Sequence, residues 1–235
     1  MEGLPRVSNK HVSIDIKRGK LSERYKDSIV AQRLKRYITI IGKLRDDPRL
    51  KLTTMQDIGG VRAILRSKRD VYKLRKEYIN SPHFYQMIEV NACKDYIQNP
   101  KASGYRGIHI IFKYKNKLNS SYDGLRIEMQ IRTKLQHIWA TAVEVMGTFR
   151  GEKLKSGKGD EQWQRLFSLV SSYFAYKKKS QPVFPDLSEI QTMQEIMKVE
   201  DEIGAIDIMK GFTIAADKIY QSGRKFILSY RTGFP

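Results

Sequence analysis

The chain has 235 residues, and its 44 Lys and Arg against 25 Asp and Glu give a formal net charge of +19 at pH 7. Hydrophobic residues make up 40% of it and charged residues 29%, which is ordinary for a soluble globular protein with a buried core. No apolar run is long enough to cross a bilayer, and the single cysteine, Cys93, excludes an internal disulfide framework. We therefore expect a cytoplasmic protein without a membrane partner, whose positive surface attracts polyanions such as nucleotides, RNA or an acidic protein.

The first long element that the sequence predicts is a helix. Residues 1–21 form a polar, basic lead-in without a clear period. Ser22 is a suitable N-cap, and apolar residues recur at helical spacing through Arg24–Leu44. The sequence Asp46-Asp47-Pro48 would end this helix, because the residue before a proline disfavours helical geometry.

Strands and shorter helices alternate after that. The patterns predict strands over Gln56–Leu65, His83–Val90, Gly107–Tyr114 and Leu125–Arg132, and helices over Asp70–Ile79, Thr133–Met146 and Gln162–Tyr176. A last helical stretch, Leu187–Ile219, should break near Gly211. Lys225–Tyr230 then reads as a strand without an obvious partner, so the chain is either truncated or pairs in trans. This order predicts an α/β (α+β) domain over residues 22–150, in which helices flank the strands, with a C-terminal helical extension over 151–235.

The segment Leu125–Arg132 carries the strongest indication of function. Its odd-numbered residues are all apolar, and its even-numbered residues are Arg126, Glu128, Gln130 and Arg132. Because a strand sends alternate side chains to opposite faces, one face joins a core and the other presents a carboxylate among guanidinium and amide groups. Such a stripe is more typical of a site for a metal ion and phosphates than of an ordinary surface strand.

Two groups of charged residues precede that strand. Arg33, Lys35 and Lys43 form a basic strip on the predicted helix, which either holds a triphosphate or is a solvated basic face. Asp57 begins a strand and is followed by Gly59-Gly60, which lets a backbone or a ligand come close. The Asp57 carboxylate is either a ligand of a divalent cation or a turn residue.

The segment Lys94–His109 is a loop rich in hydrogen-bond donors that runs into a strand. Glycines flank Tyr105-Arg106, so the tyrosine ring is expected to be exposed and flat, where it would stack a nucleobase. The alternative is a tyrosine that packs onto its own loop. His109 is either a ligand contact or a structural histidine.

Taken in order, these motifs resemble the synthetase domain of the RelA/SpoT family. That family has a basic helix with Arg-x-Lys-x-x-x-Ser and a further Lys. It then has Asp-Ile-x-Gly-x-Arg, Lys-Asp-Tyr-Ile-x-x-Pro-Lys, Gly-Tyr-Arg-Ser-x-His, and Glu-x-Gln-x-Arg-Thr before a Trp-Ala helix. The corresponding segments here are Arg33–Lys43, Asp57–Arg62, Lys94–Lys101, Gly104–His109 and Glu128–Thr133, followed by Trp139-Ala140. Five motifs in the same order make the resemblance specific.

The resemblance implies a nucleotidyltransferase-like mixed sheet and an enzyme that transfers the β,γ-pyrophosphate of ATP to a ribose 3′-hydroxyl, with Mg²⁺ as cofactor. By their place in the motifs, Asp57 and Glu128 would bind Mg²⁺ and carry catalysis, with Glu128 as the base for the acceptor hydroxyl. Tyr105 would stack the acceptor base, and Lys101 and His109 would help to place the acceptor. The residues implied for ATP are Arg33, Lys35, Lys43 and Arg62, with Gln130 and Arg132 supporting the strand.

Three residues depart from the family pattern. Thr39 replaces the usual Ser and keeps a hydroxyl. Ser103 stands where Asn is common and Gly107 where Ser is common, and these two leave the choice of acceptor open. Because the 32 residues before the first motif are too few for a hydrolase domain, we expect a small stand-alone GTP/GDP pyrophosphokinase that makes alarmones of the (p)ppGpp type.

Two other functions stay open. One is a toxin or phage-defence enzyme that pyrophosphorylates the 3′-CCA end of tRNA, which the net charge favours. The other is a catalytically silent nucleotide-binding module, which the presence of both carboxylates disfavours. The expected partners are ATP and GDP or GTP, while tRNA, an antitoxin protein and a second copy of the chain are left open.

Overall fold

The computed structural model of the protein describes residues 21, 24–80, 88–113, 123–152, 154, 157–211 and 213. Its strands are β1 (Ile29–Leu34), β2 (Gly59–Leu65), β3 (Ile88–Asp95), β4 (Ile108–Lys113) and β5 (Arg126–Thr133). Its longer helices are α1 (Tyr37–Asp46), α2 (Lys68–Asn80), α3 (Lys134–Phe149), α4 (Glu161–Lys177) and α5 (Glu189–Ile203). None of the described helices is both long and apolar enough to cross a bilayer.

The five strands form one mixed sheet in the order β1-β2-β5-β4-β3. β2 and β5 run parallel, whereas β1 with β2, β4 with β5 and β3 with β4 are antiparallel pairs. The prediction of a mixed sheet flanked by helices is confirmed.

The sheet has one apolar and one polar face because its strands alternate in sequence. Ala63, Ile110 and Ile131 are fully buried and pack on one face in a single cluster with Leu74 of α2. α2 therefore covers the apolar face, and contacts both β5 and β2. The even-numbered residues of β5, among them Glu128, point to the opposite face.

The helix predicted over Arg24–Leu44 is wrong in its first half. The structure has strand β1 there, and α1 begins only at Tyr37. Ser22, the N-cap proposed for the predicted helix, lies outside the described residues. Asp27 adopts a left-handed conformation with φ of 63°, which breaks a helix just before β1. The predicted end is correct, since α1 stops at Asp46.

Pairing with β2 explains why the local pattern was misleading. Ile29 and Val30 are β-branched and suit a strand, and all six residues of β1 find partners along β2. Helical spacing of apolar residues is a local signal, and it does not reveal a partner strand some 30 positions later. As a consequence Arg33 lies on a strand and Lys35 just after it, and of the three predicted helix cations Lys43 alone lies on α1.

The predicted break near Gly211 is also misplaced. α5 ends at Ile203, and its C-cap Gly204 takes a left-handed conformation with φ of 59°, which glycine adopts without a Cβ clash. Helical structure resumes over 205–211. The predicted strand Lys225–Tyr230 lies outside the described residues, as do the lead-in up to residue 20, residues 214–219 and the first part of the strand predicted over His83–Val90.

The described residues fall into two compact units that divide between Ala142 and Val143, inside α3. The first unit contains the sheet with α1 and α2. In the second, α4 packs against α5. The carboxylate of Asp160 caps α4 by accepting the Trp163 N–H, and α5 begins with a capping box.

Leu74 tests the packing of α2 on the sheet. Because Leu74 is fully buried, Leu74→Ala should leave a cavity and lower the free energy of unfolding by about 2–5 kcal/mol. Ile138→Ala on α3, where the side chain is 62% exposed, is the control and should change it by less than about 0.5 kcal/mol. Urea denaturation followed by circular dichroism measures both, and equal small losses would contradict the packing of α2.

Candidate active site

Strand register brings polar side chains together on the polar face of the sheet. Arg62 on β2 is level with Gln130 on β5, and Gln130 is level with His109 on β4. Two residues away along the sheet, Gly60 on β2 pairs with both Arg33 on β1 and Glu128 on β5. Arg33 and Glu128 therefore lie in the same row across the sheet. Residues from four distant motifs therefore share one surface.

Five side chains, which we call the hydrogen-bond ring, close a cycle on this face: Tyr105, His109, Glu128, Gln130 and Arg132. Arg132 Nη2 donates to Tyr105 Oη and to Gln130 Oε1, at 2.7 Å each. Gln130 Nε2 donates to Glu128 Oε2 at 2.5 Å, and His109 Nδ1 lies 2.7 Å from Glu128 Oε1. A contact of 2.5 Å between Tyr105 Oη and His109 Nε2 completes the cycle.

The hydrogen-bond ring fixes the protonation state of its two aromatic members. Because an ionised carboxylate only accepts, His109 Nδ1 must donate to Glu128, and His109 Nε2 then accepts the Tyr105 hydroxyl proton. Burial, assisted by the charges of Arg132 and Lys101, lowers the pKa of His109 despite its bond to Glu128, so the imidazole is neutral at pH 7. Burial raises the pKa of Tyr105, which keeps the phenol protonated.

Glu128 is held ionised at the end of both arms of the hydrogen-bond ring. Burial alone would raise the pKa of its carboxyl group, but the hydrogen bonds from His109 and Gln130 outweigh burial and lower it. Every bond in the ring is polarised from the Arg132 guanidinium towards the carboxylate. The Glu128 side chain remains 14% exposed, and each carboxylate oxygen has a further lone pair for a ligand.

A second charged cluster, which we call the lysine clamp, joins the end of β1 to the start of β2. Lys35 Nζ and Lys43 Nζ contact the same oxygen, Asp57 Oδ2, at 2.6 and 2.9 Å. Burial lowers the pKa of Lys35 in spite of this contact, because its side chain is 4% exposed. Burial opposes ionisation of Asp57 too, but the two ammonium groups prevail and lower the pKa of its carboxyl.

The lysine clamp and the hydrogen-bond ring lie close enough for their charges to interact. Although burial opposes it, Asp57 and, further away, Glu128 raise the pKa of Lys43. The charge of Asp57 in turn disfavours ionisation of Glu128. Burial and nearby cations, Lys43 among them, lower the pKa of Lys101 against the attraction of Glu128. Two carboxylates and three ammonium groups therefore act on one another at this surface.

The expectation of an exposed Tyr105 ring is wrong. The residue is only 4% exposed, because its hydroxyl is engaged in the hydrogen-bond ring and its ring is covered by cations. The Arg132 guanidinium carbon lies 4.8 Å from the ring centroid and Lys101 Nζ 5.4 Å from it. Arg132 is itself buried, whereas Lys101 is exposed.

Tyr96 and Asp95 belong to this site, although no role was predicted for either residue. Tyr96 is half-buried, and its ring packs edge-to-face on Tyr105 and His109 with centroids 5.8 and 5.2 Å away. Lys101 Nζ lies 4.6 Å from the Tyr96 centroid. Asp95 accepts two backbone N–H groups of the turn that follows it, which fixes the loop. Both residues belong to the Lys-Asp-Tyr motif, and this motif could have identified them as site residues from the sequence.

The structure brings the predicted residues together to different degrees. Direct contacts join Lys35, Lys43 and Asp57 in one group and Tyr105, His109, Glu128, Gln130 and Arg132 in another, with Lys101 against the aromatic rings. Arg33 and Arg62 share the face by strand register. The part that each of these residues plays in binding stays a prediction.

Residues 32–150, just over half of the chain, match the family pattern described as the region found in RelA / SpoT proteins. The chain belongs to the RelA/SpoT family. It resembles the GTP pyrophosphokinase YwaC of Bacillus subtilis (strain 168), with 31% identity over 46% of this chain and 52% of that protein. It also resembles the GTP pyrophosphokinase YjbM of the same organism, with 32% identity over 48% and 52%. The chain thus spans about half the length of these two RelA/SpoT relatives.

Solved structures of RelA/SpoT relatives share the fold. Small alarmone synthetase 1 from Bacillus subtilis, bound to its product pppGpp, superimposes with a TM-score of 0.61 at 23% identity over 72% of this chain and 87% of that one. Small alarmone synthetase 2 from Bacillus subtilis gives 0.58 at 23% identity over 73% and 89%. At these identities the likeness establishes the mixed-sheet fold and nothing finer.

Two glycines at the site stand where a side chain would crowd its neighbours. A Cβ on Gly60 would lie 2.6 Å from the Glu128 carbonyl oxygen, so the expected close approach at Gly59-Gly60 is between two backbones. A Cβ on Gly107 would lie 3.1 Å from Arg132 Cγ and 3.2 Å from Tyr105 Oη. Gly107 is a departure from the family pattern, and it makes room for the contact between Tyr105 and Arg132.

Asp57→Asn tests the lysine clamp, because it leaves the buried ammonium group of Lys35 without an anion. We expect a loss of about 1–3 kcal/mol in the free energy of unfolding, measured in urea. Asp207→Asn, which breaks an exposed ion pair with Lys210, is the control and should cost less than about 0.5 kcal/mol. Adding Lys35→Met to Asp57→Asn should restore part of the loss. If it restores nothing, Lys35 does not depend on Asp57.

Proposed function

We propose that this protein is a pyrophosphokinase that transfers the β,γ-pyrophosphate of ATP to the ribose 3′-hydroxyl of GDP or GTP and so makes an alarmone of the (p)ppGpp type. The observation that carries this proposal is the meeting of two ionised carboxylates, Asp57 and Glu128, with the ammonium groups of Lys35, Lys43 and Lys101. RelA/SpoT membership and the similarity to two GTP pyrophosphokinases support it.

The lysine clamp is suited to bind the triphosphate of ATP by exchange of partners. A triphosphate offers Lys35 and Lys43 several anionic oxygens in place of the single Asp57 oxygen that they now share. As the ammonium groups turn to phosphate, the Asp57 carboxylate becomes available to another cation. Arg33 and Arg62 lie on the same face and would add guanidinium contacts to the nucleotide.

The residues present fit a Mg²⁺ ion that is bound together with the substrate. Among the described residues no three His, Cys, Asp or Glu side chains form a metal cluster of their own. Mg²⁺ commonly takes one or two carboxylates and completes its shell with phosphates and water, a role that Asp57 and Glu128 fit. When bound, the ion would neutralise charge that develops on the transferred phosphoryl groups.

Glu128 is placed to remove the proton from the acceptor hydroxyl. In the proposed reaction the 3′-oxygen attacks the β-phosphorus of ATP, the bond from that phosphorus to the α-phosphate oxygen breaks, and AMP leaves. The hydroxyl proton passes to Glu128, whose side chain remains partly exposed. Gln130 and His109 hold the two carboxylate oxygens in place during this transfer.

The acceptor side of the proposed site is formed by Lys101 and the aromatic group around Tyr105. Lys101 is exposed and near Glu128, so its ammonium group would bind acceptor phosphates. Its movement away from Tyr105 would make room beside the ring for a base, while Arg132 stays in contact with the ring. Half-buried Tyr96 borders the same space. The net charge of +19 favours a second acceptor, the 3′-CCA end of tRNA.

A paired labelling assay tests the activity and the acceptor together. With ATP labelled at the β- or γ-phosphate, Mg²⁺ and GDP or GTP, both labels should enter one guanosine polyphosphate, and one AMP should appear per product. If label appears only on deacylated tRNA, the acceptor is the 3′-CCA end and not GDP or GTP. If neither acceptor is labelled, the protein is a catalytically silent nucleotide-binding module.

Glu128→Gln is the matching variant for that assay. It keeps the shape of the side chain but removes the base, so kcat should fall about 10²- to 10⁴-fold with an unchanged circular dichroism spectrum. Glu144→Gln, at an exposed position of α3, should retain full activity. A normally active Glu128→Gln protein would show that the base lies elsewhere.

Two substitutions at Tyr105 separate its hydroxyl from its ring. Tyr105→Phe breaks both hydroxyl bonds and loosens Glu128 through His109, so it should lower kcat with little change in the KM for the acceptor. Tyr105→Ala removes the ring as well and should also raise that KM. The KM for ATP should be unchanged in both proteins, and Tyr173→Phe is the control. If the KM values for ATP and for the acceptor rise equally, the Tyr105 ring is not part of the acceptor site.

A further inference from the structure

The exposed side of α2 carries a row of positive charges, which we call the basic stripe: Arg66, Arg69, Lys73 and Lys76. All four residues are exposed. Their spacing of three, four and three positions keeps them on one side of the helix and of the turn before it. Val71, Leu74 and Tyr78 are buried on the opposite side of the same helix.

The cations of the basic stripe are available to a ligand. None of the four forms an ion pair with another residue of the part of the chain that the structure describes. The two acidic residues of α2 are already engaged, because Asp70 bonds Ser67 and Glu77 bonds Arg24 and Tyr25. Lys73 Nζ lies 5.7 Å from the centroid of the Tyr25 ring, which steadies its position.

The placement of these charges does not serve the stability of the helix. A helix macrodipole favours acidic side chains at the N-terminus and basic ones in the last turn. α2 has the favourable Asp70 in its first turn, but it also starts with Lys68 and Arg69 and has no basic residue in its last turn. If the charges served only solubility, basic residues near the end of α2 would serve equally well. The arrangement therefore indicates a ligand that uses the charges where they are.

We propose that the basic stripe binds the phosphate backbone of a nucleic acid, without reading its sequence. From Arg69 to Lys76 it runs about 10 Å along the helix axis, and Arg66 extends it beyond the N-terminus. A duplex strand places a phosphate about every 3.4 Å along its axis, so the stripe faces about three phosphates of one strand. A bilayer is a poorer partner, because the apolar side of α2 is buried in the core and cannot enter lipid.

The basic stripe lies on the other side of the sheet from Asp57 and Glu128, because α2 covers the apolar face. A bound nucleic acid would therefore leave the candidate active site open, and the stripe is not a track that leads a tRNA 3′ end to Glu128. The inference is independent of the proposed pyrophosphate transfer.

Fluorescence anisotropy with labelled oligouridylate and with a labelled DNA duplex, over a range of salt concentrations, tests this proposal. The stripe variant is Arg69→Gln, Lys73→Gln and Lys76→Gln. The control variant is Lys158→Gln, Lys198→Gln and Lys210→Gln, which removes the same charge from exposed positions outside α2. We expect the stripe variant to bind at least about tenfold more weakly, and its log–log salt slope to fall by about 2 for RNA and nearly 3 for duplex DNA.

The control variant should lose less than about threefold in affinity. If the stripe variant loses binding to RNA alone, or to both RNA and duplex DNA, the result supports the proposal and shows which nucleic acid the stripe prefers. Equal weakening by both variants, no weakening by either, or charge-dependent binding to anionic lipid vesicles alone overturns the proposal. The stripe variant should keep its labelling activity with GDP and GTP. If the unsubstituted protein transfers no pyrophosphate, the proposed function fails while the binding result stands.

Discussion

The buried guanidinium group of Arg132 is the constraint on which the site depends. A cation taken out of water inside a sheet is costly unless hydrogen bonds and an anion compensate it. Here the compensation runs through Tyr105 and His109 on one arm and through Gln130 on the other, and both arms end at Glu128. An ionised carboxylate at the open end of the site is therefore a structural requirement as well as a chemical resource.

The lysine clamp follows the same logic at the other end of the site. Lys35 is too buried to remain charged alone, and Asp57 stays ionised because two ammonium groups hold it. Asp57 and Glu128, the two carboxylates that the proposed reaction would use, are thus both paired before any substrate arrives. A nucleotide would exchange existing partners, and this exchange links occupation of the phosphate site to release of the Asp57 carboxylate.

Local patterns predicted most of the elements and failed where the outcome depended on distant residues. The alternation in β5 was predictable because both its faces are encoded within eight residues. The helical spacing over β1 is misleading because its partner strand, β2, begins some 30 positions after β1 does. Tyr105 was expected to be exposed because two glycines flank it, whereas its burial results from Arg132, which is 27 positions away.

The sequence by itself determined the order of motifs and the pair of carboxylates, since residue identity and short-range period carry those properties. The resemblance carried by the motifs added the family and the mixed sheet. Tertiary structure alone decided how the charges are paired, which ring is covered, and that a side chain at Gly60 would clash with the Glu128 backbone. The reason is geometric. Hydrogen bonds and ion pairs act over a few ångströms, and only strand register decides which residues, far apart in the chain, come within that distance.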